Sequence, residues 1–158
     1  MAVPFPAPGT TILVVDDERI TRRVAYRILS EEGYRVFEAA SADEALSVLD
    51  MAHRYVHLVV LDVVMPVVDG VSLGREIVAH WPALKLLYMS AYPAEVLATH
   101  GLDDLQVRFL AKPFTRDELL AKVHDSLERR REPRVSGSTE GVVDHGRPLA
   151  LVVFNDGW

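Results

Sequence analysis

The sequence predicts an α/β protein in which helices cover both faces of a parallel sheet. Two apolar runs of strand length, residues 11–15 and 57–61, lack the polar alternation of a half-exposed strand. Such runs are typical of strands that are buried on both faces. Strand and helix patterns alternate five times along the chain, and this alternation produces parallel sheets with right-handed crossovers.

The first strand, residues 11–15, is followed by an amphipathic segment. Ile20, Val24 and Ile28 recur at steps of four, with Ala25 and Leu29 beside them and arginines elsewhere. This spacing predicts a helix that packs its apolar stripe on the sheet. Gly33 then fits the left-handed position that ends many helices.

The second unit repeats the pattern. Residues 35–39 are predicted to form a strand, and Ser41 begins a helix. Glu44, three residues after Ser41, completes a capping-box pattern. The third strand, residues 57–61, ends at Asp62.

Five more elements complete the predicted fold. The remaining elements are a helix over about residues 71–80, a strand over 84–89, a weaker helix after residue 93, a strand over 107–111 and a helix to about residue 130. Ser90 follows the fourth strand, and Lys112 and Pro113 follow the fifth. Thr115 and Glu118 form a second capping-box pattern before the last helix.

Composition divides the chain into a leader, one domain and a tail. Residues 1–10 are rich in proline and small residues, and residues 11–131 carry the repeating pattern. Residues 132–158 form a tail that we expect to be flexible, although residues 149–154 have strand-like composition and could add a strand. The ~25 residues after the last helix leave no room for a DNA-binding or catalytic output domain.

Charge and residue usage exclude several classes of protein. The chain of 158 residues has a formal net charge of −6, whereas nucleic-acid-binding surfaces are basic. It contains no cysteine, which excludes disulfides and thiolate metal sites. No apolar run reaches the ~20 residues of a membrane helix, and the proline-rich N-terminus does not resemble a signal peptide. These observations predict a cytoplasmic protein without a membrane segment.

Charged and hydroxyl side chains follow four of the predicted strands. Asp16 and Asp17 follow the first strand, Asp62 the third, Ser90 the fourth and Lys112 the fifth. Because ligands bind outside the carboxyl ends of parallel strands, we expect these side chains to meet in one crevice. An aspartate after a strand is often only a helix cap, but capping does not explain polar residues at four strand ends.

Three neighbouring carboxylates repel one another unless a cation or a proton intervenes. An all-oxygen site suits Mg²⁺, which prefers one or two carboxylates together with a phosphate oxygen. A carboxylate can itself be phosphorylated. In such a site Lys112 would contact the phosphoryl group, and the hydroxyl of Ser90 would donate to one of its oxygens.

These residues lie in four motifs that together resemble the receiver domains of two-component response regulators. The motifs are ILVVDD at residues 12–17, VVLDVVMPVVDG at 59–70, YMSA at 88–91 and FLAKPF at 109–114. The resemblance extends from about residue 11 to residue 130. It implies a flavodoxin-like fold of five βα units with strand order 2-1-3-4-5.

The resemblance also implies a role for each site residue. Asp62 would accept a phosphoryl group from a histidine kinase or phosphotransfer protein. Asp16, Asp17 and Asp62 would hold Mg²⁺, together with the backbone carbonyl of Val64. A cis peptide between Lys112 and Pro113 would aim Lys112 into the site. The domain would catalyse only its own phosphotransfer and slow autodephosphorylation, so it would not be an enzyme in the usual sense.

Ser90 and Phe109 resemble the switch pair of this family. Phosphorylation would draw the hydroxyl of Ser90 inward, the ring of Phe109 would follow, and a distant surface that binds a downstream protein or forms a homodimer would change. Two positions depart from the common pattern. Val64 replaces a polar residue that can steer water, and Phe109 replaces a tyrosine.

Other functions remain open at this stage. The chain could be a degenerate receiver that serves only as a protein-binding module. An aspartyl-phosphate phosphatase would have a D-x-D motif on the first strand, where this chain has adjacent aspartates. A dinucleotide-binding fold would need a G-x-G-x-x-G motif, which is absent after the first strand. The six histidines show no ligand-like clustering at the strand ends.

Overall fold

The computed structural model describes residues 9–93, 95, 97, 108–128, 143–144 and 147–148. Strands and helices alternate as predicted. The strands are β1 (Thr11–Val15), β2 (Arg35–Ala39), β3 (Val56–Asp62), β4 (Lys85–Ser90) and β5 (Phe109–Ala111). The helices are α1 (Arg19–Glu31), α2 (Ala42–Ala52), α3 (Gly70–His80) and α4 (Arg116–Glu128).

The five strands form one parallel sheet in the order β2-β1-β3-β4-β5. The predicted fold class and strand order are therefore confirmed. The register aligns the carboxyl ends of neighbouring strands, because Val15 pairs with Leu61, and Asp62 pairs with Met89. Ser90 in turn pairs with Ala111. All functional side chains that follow the strands are thus brought to one edge of the sheet.

Two apolar layers enclose the sheet. Leu13 and Val15 of β1 belong to one layer, whereas Ile12 and Val14 belong to the other, and all four are fully buried. This division follows from the period of two along a strand, and it explains why the strand sequence is apolar throughout. Helices α2 and α3 cover the first layer, where Leu49 and Ile77 are fully buried. Helices α1 and α4 cover the second layer, where Leu29 and Leu119 are fully buried. Burial of each such side chain contributes about 1.5 to 3 kcal/mol to the free energy of unfolding.

Helix α1 packs part of its predicted apolar side against the sheet. Ala25 and Leu29 are buried, but Ile20 is 74% exposed and Val24 is 45% exposed. Ile28 also packs against the layer that contains Ala25 and Leu29. Three of the five predicted apolar residues thus contact the core, and the two nearer the start of the helix face solvent.

Local signals at the helix ends are found where the sequence indicated them. Gly33 has a φ of 100°, and the amides of Gly33 and Tyr34 donate to the carbonyls of Ser30 and Leu29. This bonding is a Schellman motif, which needs a left-handed residue and so favours glycine. Thr115 and Glu118 form a full capping box, because each side chain accepts from the other's amide.

Several predictions fall wholly or partly outside the described residues. Residues 1–8 of the leader and the strand-like residues 149–154 are among them, as is most of the helix expected after Pro93, of which Glu95 and Leu97 are helical. Of the tail, two short strands are described, Val143–Asp144 paired antiparallel with Arg147–Pro148. None of the described helices has both the length and the apolarity that a bilayer crossing requires.

Candidate functional site

The carboxyl edge of the sheet brings five predicted site residues to neighbouring strand ends. Asp16 and Asp17 directly follow β1, Asp62 and Ser90 are the last residues of β3 and β4, and Lys112 directly follows β5. Backbone hydrogen bonds continue the sheet past its ends, since the amide of Lys112 donates to the carbonyl of Ser90 at 2.8 Å. The register of the parallel strands therefore determines which side chains meet.

Lys112 lies between two acidic residues. Its Nζ is 2.6 Å from Oδ2 of Asp16 and 3.3 Å from Oδ2 of Asp62. The side chains are 12% exposed for Lys112, 0% for Asp16 and 7% for Asp62. Because water scarcely reaches these charges, each depends on the others for compensation.

Asp16, Asp17 and Asp62 form an acidic cluster in which one carboxylate oxygen of each lies within 4.8 Å of the others. Asp16 and Asp62 are buried, whereas Asp17 is exposed at the mouth of the site. The donor set consists of oxygen atoms alone, which suits a hard divalent cation such as Mg²⁺. The exposed position of Asp17 leaves room for the water ligands that Mg²⁺ retains.

Burial raises the pKa of Asp62 from 3.8 to about 6. The positive charge of Lys112 acts in the opposite direction, and the negative charge of Asp16 adds to the increase. Burial alone would lower the pKa of Lys112, but the hydrogen bond and charge of Asp16 and the charge of Asp62 outweigh burial and raise it. Lys112 thus stays protonated, and the carboxyl group of Asp62 loses its proton at a higher pH than an ordinary aspartate does.

The turn from β1 into α1 is held by groups that the sequence reasoning missed. The backbone carbonyl of Asp16 accepts from Nη1 of Arg22 at 2.6 Å, and Oδ1 of Asp16 accepts from the amide of Glu18 at 2.8 Å. Nε of Arg22 is 3.6 Å from Oε1 of Glu38 on β2. Arg22 is therefore a positioning residue for Asp16. The sequence signal was weak, because an arginine on an amphipathic helix is usually assigned to solvent.

The loop after β3 approaches α3 closely. The amide of Gly70 donates to the carbonyl of Val63 at 2.8 Å. A Cβ atom at Gly70 would lie 1.9 Å from the backbone oxygen of Asp62, so only glycine fits there. Asp69 caps α3 by accepting from the amide of Ser72 at 2.9 Å.

Val64 lies beside the acceptor carboxylate that the sequence predicts. Its amide donates to Oδ1 of Asp62 at 3.2 Å, and its side chain is 50% exposed. Val67 in the same loop has a φ of 71°, and Val68 donates back to the carbonyl of Pro66 at 2.8 Å. Val64 and Val67 thus both expose apolar side chains in this loop, and Val64 does so next to Asp62.

The remaining predicted residues lie near the same edge. The hydroxyl oxygen of Ser90 is buried and accepts from the amide of Tyr92 at 3.0 Å. Phe109 is partly buried and packs against the layer that contains Leu97. The Lys112–Pro113 peptide bond is cis. Of the four histidines for which side-chain positions are described, none joins this cluster, and all four line a cavity at the opposite edge of the sheet.

The family model described as the response regulator receiver domain matches residues 12–124. Among curated proteins, the sensor kinase CckA of Brucella abortus is 38% identical over 121 residues, which are 77% of this chain and 13% of that protein. The response regulator MprA of Mycobacterium sp. (strain KMS) is 38% identical over 118 residues, 75% of this chain and 50% of that protein. The chain thus spans half or less of the length of these two relatives.

A solved structure supports the same grouping. The CheX–CheY–BeF3–Mg²⁺ complex from Borrelia burgdorferi matches with a TM-score of 0.65 and 27% identity. The match covers 72% of this chain and 86% of that chain. The sequence match and the fold match therefore indicate one family.

The raised pKa of Asp62 predicts that Asp62→Asn stabilises the protein at neutral pH in metal-free buffer. The folded state holds the proton of Asp62 more tightly than the unfolded chain, so its ionisation costs folding free energy as the pH rises from about 4 to above 6. We expect a gain of about 1 to 3 kcal/mol at pH 7.5 that disappears near pH 4. Urea unfolding at both pH values measures the difference.

Asp69→Asn is the matched control for this experiment. The hydrogen bond from the amide of Ser72 holds the pKa of Asp69 below its usual value, so removal of its charge should not stabilise the fold at neutral pH. Equal unfolding midpoints for Asp62→Asn and wild type at pH 7.5 would show that the buried carboxylate carries no such cost.

Proposed function

The chain belongs to the response regulator receiver domain family, and we propose that it accepts a phosphoryl group on Asp62 from a phosphohistidine. The donor is a histidine kinase or a phosphotransfer protein. The single observation that carries this assignment is the contact between the buried carboxylate of Asp62 and the ammonium group of Lys112, beside Asp16 and Asp17.

The transfer step is a displacement at phosphorus. An Oδ atom of ionised Asp62 forms the new P–O bond, the P–N bond to the donor imidazole breaks, and the imidazole leaves with the bond's electron pair. Because the pKa of Asp62 is about 6, the nucleophile is mainly ionised at pH 7.5. Lys112 contacts the phosphoryl oxygens in place of the carboxylate it holds before the reaction.

The acidic cluster fits Mg²⁺, with Asp16, Asp17, Asp62 and the backbone carbonyl of Val64 as its protein ligands. The ion would neutralise charge on the phosphoryl oxygens. The CheY complex from Borrelia burgdorferi contains both BeF3 and Mg²⁺, which supports the choice of metal. Arg22 fixes the backbone of Asp16, so it would hold the first of these ligands in place.

Ser90 and Phe109 would change position in response to the phosphoryl group. The hydroxyl of Ser90, which accepts from the amide of Tyr92, can donate its own proton to a phosphoryl oxygen. Its movement would let the ring of Phe109 turn further into the apolar layer that it already contacts. A surface that binds a downstream protein, or a second copy of the chain, would then change shape.

A degenerate receiver that only binds proteins is the competing function. Degeneration would remove the acceptor, its lysine or its acidic neighbours, because each is needed only for phosphotransfer. Here Lys112 retains contacts with both Asp16 and Asp62. These contacts favour an active site over a protein-binding module.

Phosphorylation of Asp62 is tested by intact-mass spectrometry. With acetyl phosphate and Mg²⁺, wild type should gain one phosphoryl group, and Asp62→Asn should gain none because it lacks the nucleophile. Omission of Mg²⁺ should reduce the labelled fraction. Asp69→Asn, which leaves the acidic cluster intact, should label like wild type. Equal labelling of Asp62→Asn and wild type would refute the assignment.

Because residue 64 is a valine, we expect the phosphoryl group on Asp62 to be long-lived. Hydrolysis requires a water in line with the phosphorus atom, and valine offers this water no hydrogen bond. We expect Val64→Asn to shorten the phosphorylated lifetime on the order of 10-fold, since positioning effects have this size or more. The measurement follows the phosphorylated mass after removal of the donor.

Val67→Asn provides the control for that measurement. It makes the same substitution three residues further along the loop, at a φ of 71° that asparagine tolerates, and it should leave the lifetime unchanged. A Val64→Asn protein that loses the phosphoryl group no faster than wild type would mean that this side chain does not control the water.

A further inference from the structure

A cavity of about 730 Å³ lies at the amino edge of the sheet, opposite the acidic cluster. The ends of α2, α3 and α4 surround it, together with the first residues of β3 and β4 and the loop between α3 and β4. Its volume lies within the range of about 300 to 1,000 Å³ typical of small-molecule sites. Neither phosphotransfer nor the switch uses it.

Aromatic rings form one part of the cavity lining. The ring of Trp81 lies 5.7 Å from the ring of His53 at an interplanar angle of 27°, and 5.7 Å from the ring of His80 at 43°. Tyr34 lines the cavity as well. Flat side chains of this kind favour a ligand with a planar ring system.

The charge of the lining differs from that of the chain as a whole. The chain has a net charge of −6, but the cavity is lined by Arg54, Lys85 and four histidines. Among the described residues that line it, Glu128 is the one acidic side chain, and it lies 3.5 Å from Nδ1 of His124. This concentration of basic groups complements an anion.

Three helices end at this cavity, and their carbonyl ends would repel an anion if they were left open. Each is capped by a side chain of the lining. Nδ1 of His53 bonds the carbonyl of Leu49 at 2.8 Å, and Nδ1 of His80 bonds the carbonyl of Glu76 at 3.0 Å. At the end of α4, Nζ of Lys85 donates to the carbonyl of Leu127.

Arg54 and His57 offer hydrogen-bond donors to a ligand. Arg54 lines the cavity and is exposed. Nδ1 of His57 accepts from the amide of Thr11 at 3.1 Å, so the proton of the neutral ring is on Nε2, which is then a donor. The guanidinium of Arg54 and the ring N–H of His57, with the ammonium group of Lys85 in the same lining, suit a carboxylate ligand.

We propose that this cavity binds a small aromatic carboxylate, with its ring against Trp81 and its carboxylate bonded to Arg54 and His57. The site is independent of Asp62, since it lies at the other end of the strands. Binding there does not require phosphorylation, so the two assignments can fail separately.

The test uses 2-naphthoate as the probe, with neutral 2-naphthamide and non-aromatic cyclohexanecarboxylate as matched controls. Binding is followed by amide chemical shifts in NMR spectra of the full chain. Naphthoate should saturate with a dissociation constant of about 1 mM or tighter, as expected for a fragment of this size. The largest shifts should be those of Arg54, His57 and Trp81, and both controls should bind at least ~10-fold more weakly.

Arg54→Glu tests the charge contact, and Arg75→Glu on α3 is its control, because it makes the same charge change at an exposed residue outside the cavity. The first variant should weaken naphthoate binding at least ~10-fold and the second less than ~2-fold. Equal binding of naphthoate and naphthamide, an unaltered affinity in Arg54→Glu, or the absence of saturable shifts at the cavity would overturn the proposal.

Discussion

The ammonium group of Lys112, held between the buried carboxylates of Asp16 and Asp62, is the contact on which the rest of the site depends. Its three members come from the ends of three different strands, so the contact exists only if β1, β3 and β5 end at the same edge. A charge pair about 4 Å apart is worth about 4 kcal/mol at an effective dielectric constant near 20. One lysine therefore offsets only part of the cost of burying two carboxylates. The raised pKa of Asp62 reflects the part of this cost that Lys112 does not offset. A divalent cation beside the carboxylates, or a phosphoryl group in contact with Lys112, would lower that cost.

Much of this arrangement could be predicted from the sequence, because it depends on strand order and on residues next to strand ends. Apolar runs such as residues 57–61 indicated the parallel sheet, and its geometry then required Asp16, Asp62 and Lys112 to converge. The role of Arg22 was not predictable in the same way. Its contact with the carbonyl of Asp16 depends on the rotation of α1 about its axis, and helical spacing alone does not determine that rotation.

The same limitation explains why only part of the predicted apolar side of α1 packs on the sheet. Ile20 and Val24 share a helical face with Ile28 in the sequence, yet the sheet contacts the neighbouring face that contains Ala25 and Leu29. The clustering of histidines was missed for another reason. His57, His80 and His124 belong to three different elements, and His53 follows a fourth. They meet only because those elements begin or end at the amino edge.

The two edges of the sheet thus have opposite character. The carboxyl edge collects carboxylates around one lysine, whereas the amino edge collects histidines, Arg54 and Lys85 around an aromatic cavity. Strands β3 and β4 run from one edge to the other, from Val56 to Asp62 and from Lys85 to Ser90. A parallel sheet separates these groups because every strand begins at one edge and ends at the other.

The central claim is that Asp62, and not one of its acidic neighbours, receives the phosphoryl group. Loss of labelling in a variant does not separate an acceptor from a metal ligand, because the three carboxylates lie within 4.8 Å of one another. Reduction of the phosphorylated protein with borohydride does separate them, since it converts the phosphorylated aspartate, and no other, to homoserine. Peptide mass spectrometry should then find homoserine at position 62 with Asp16 and Asp17 intact. Homoserine at position 16 or 17, with Asp62 unmodified, would contradict the account.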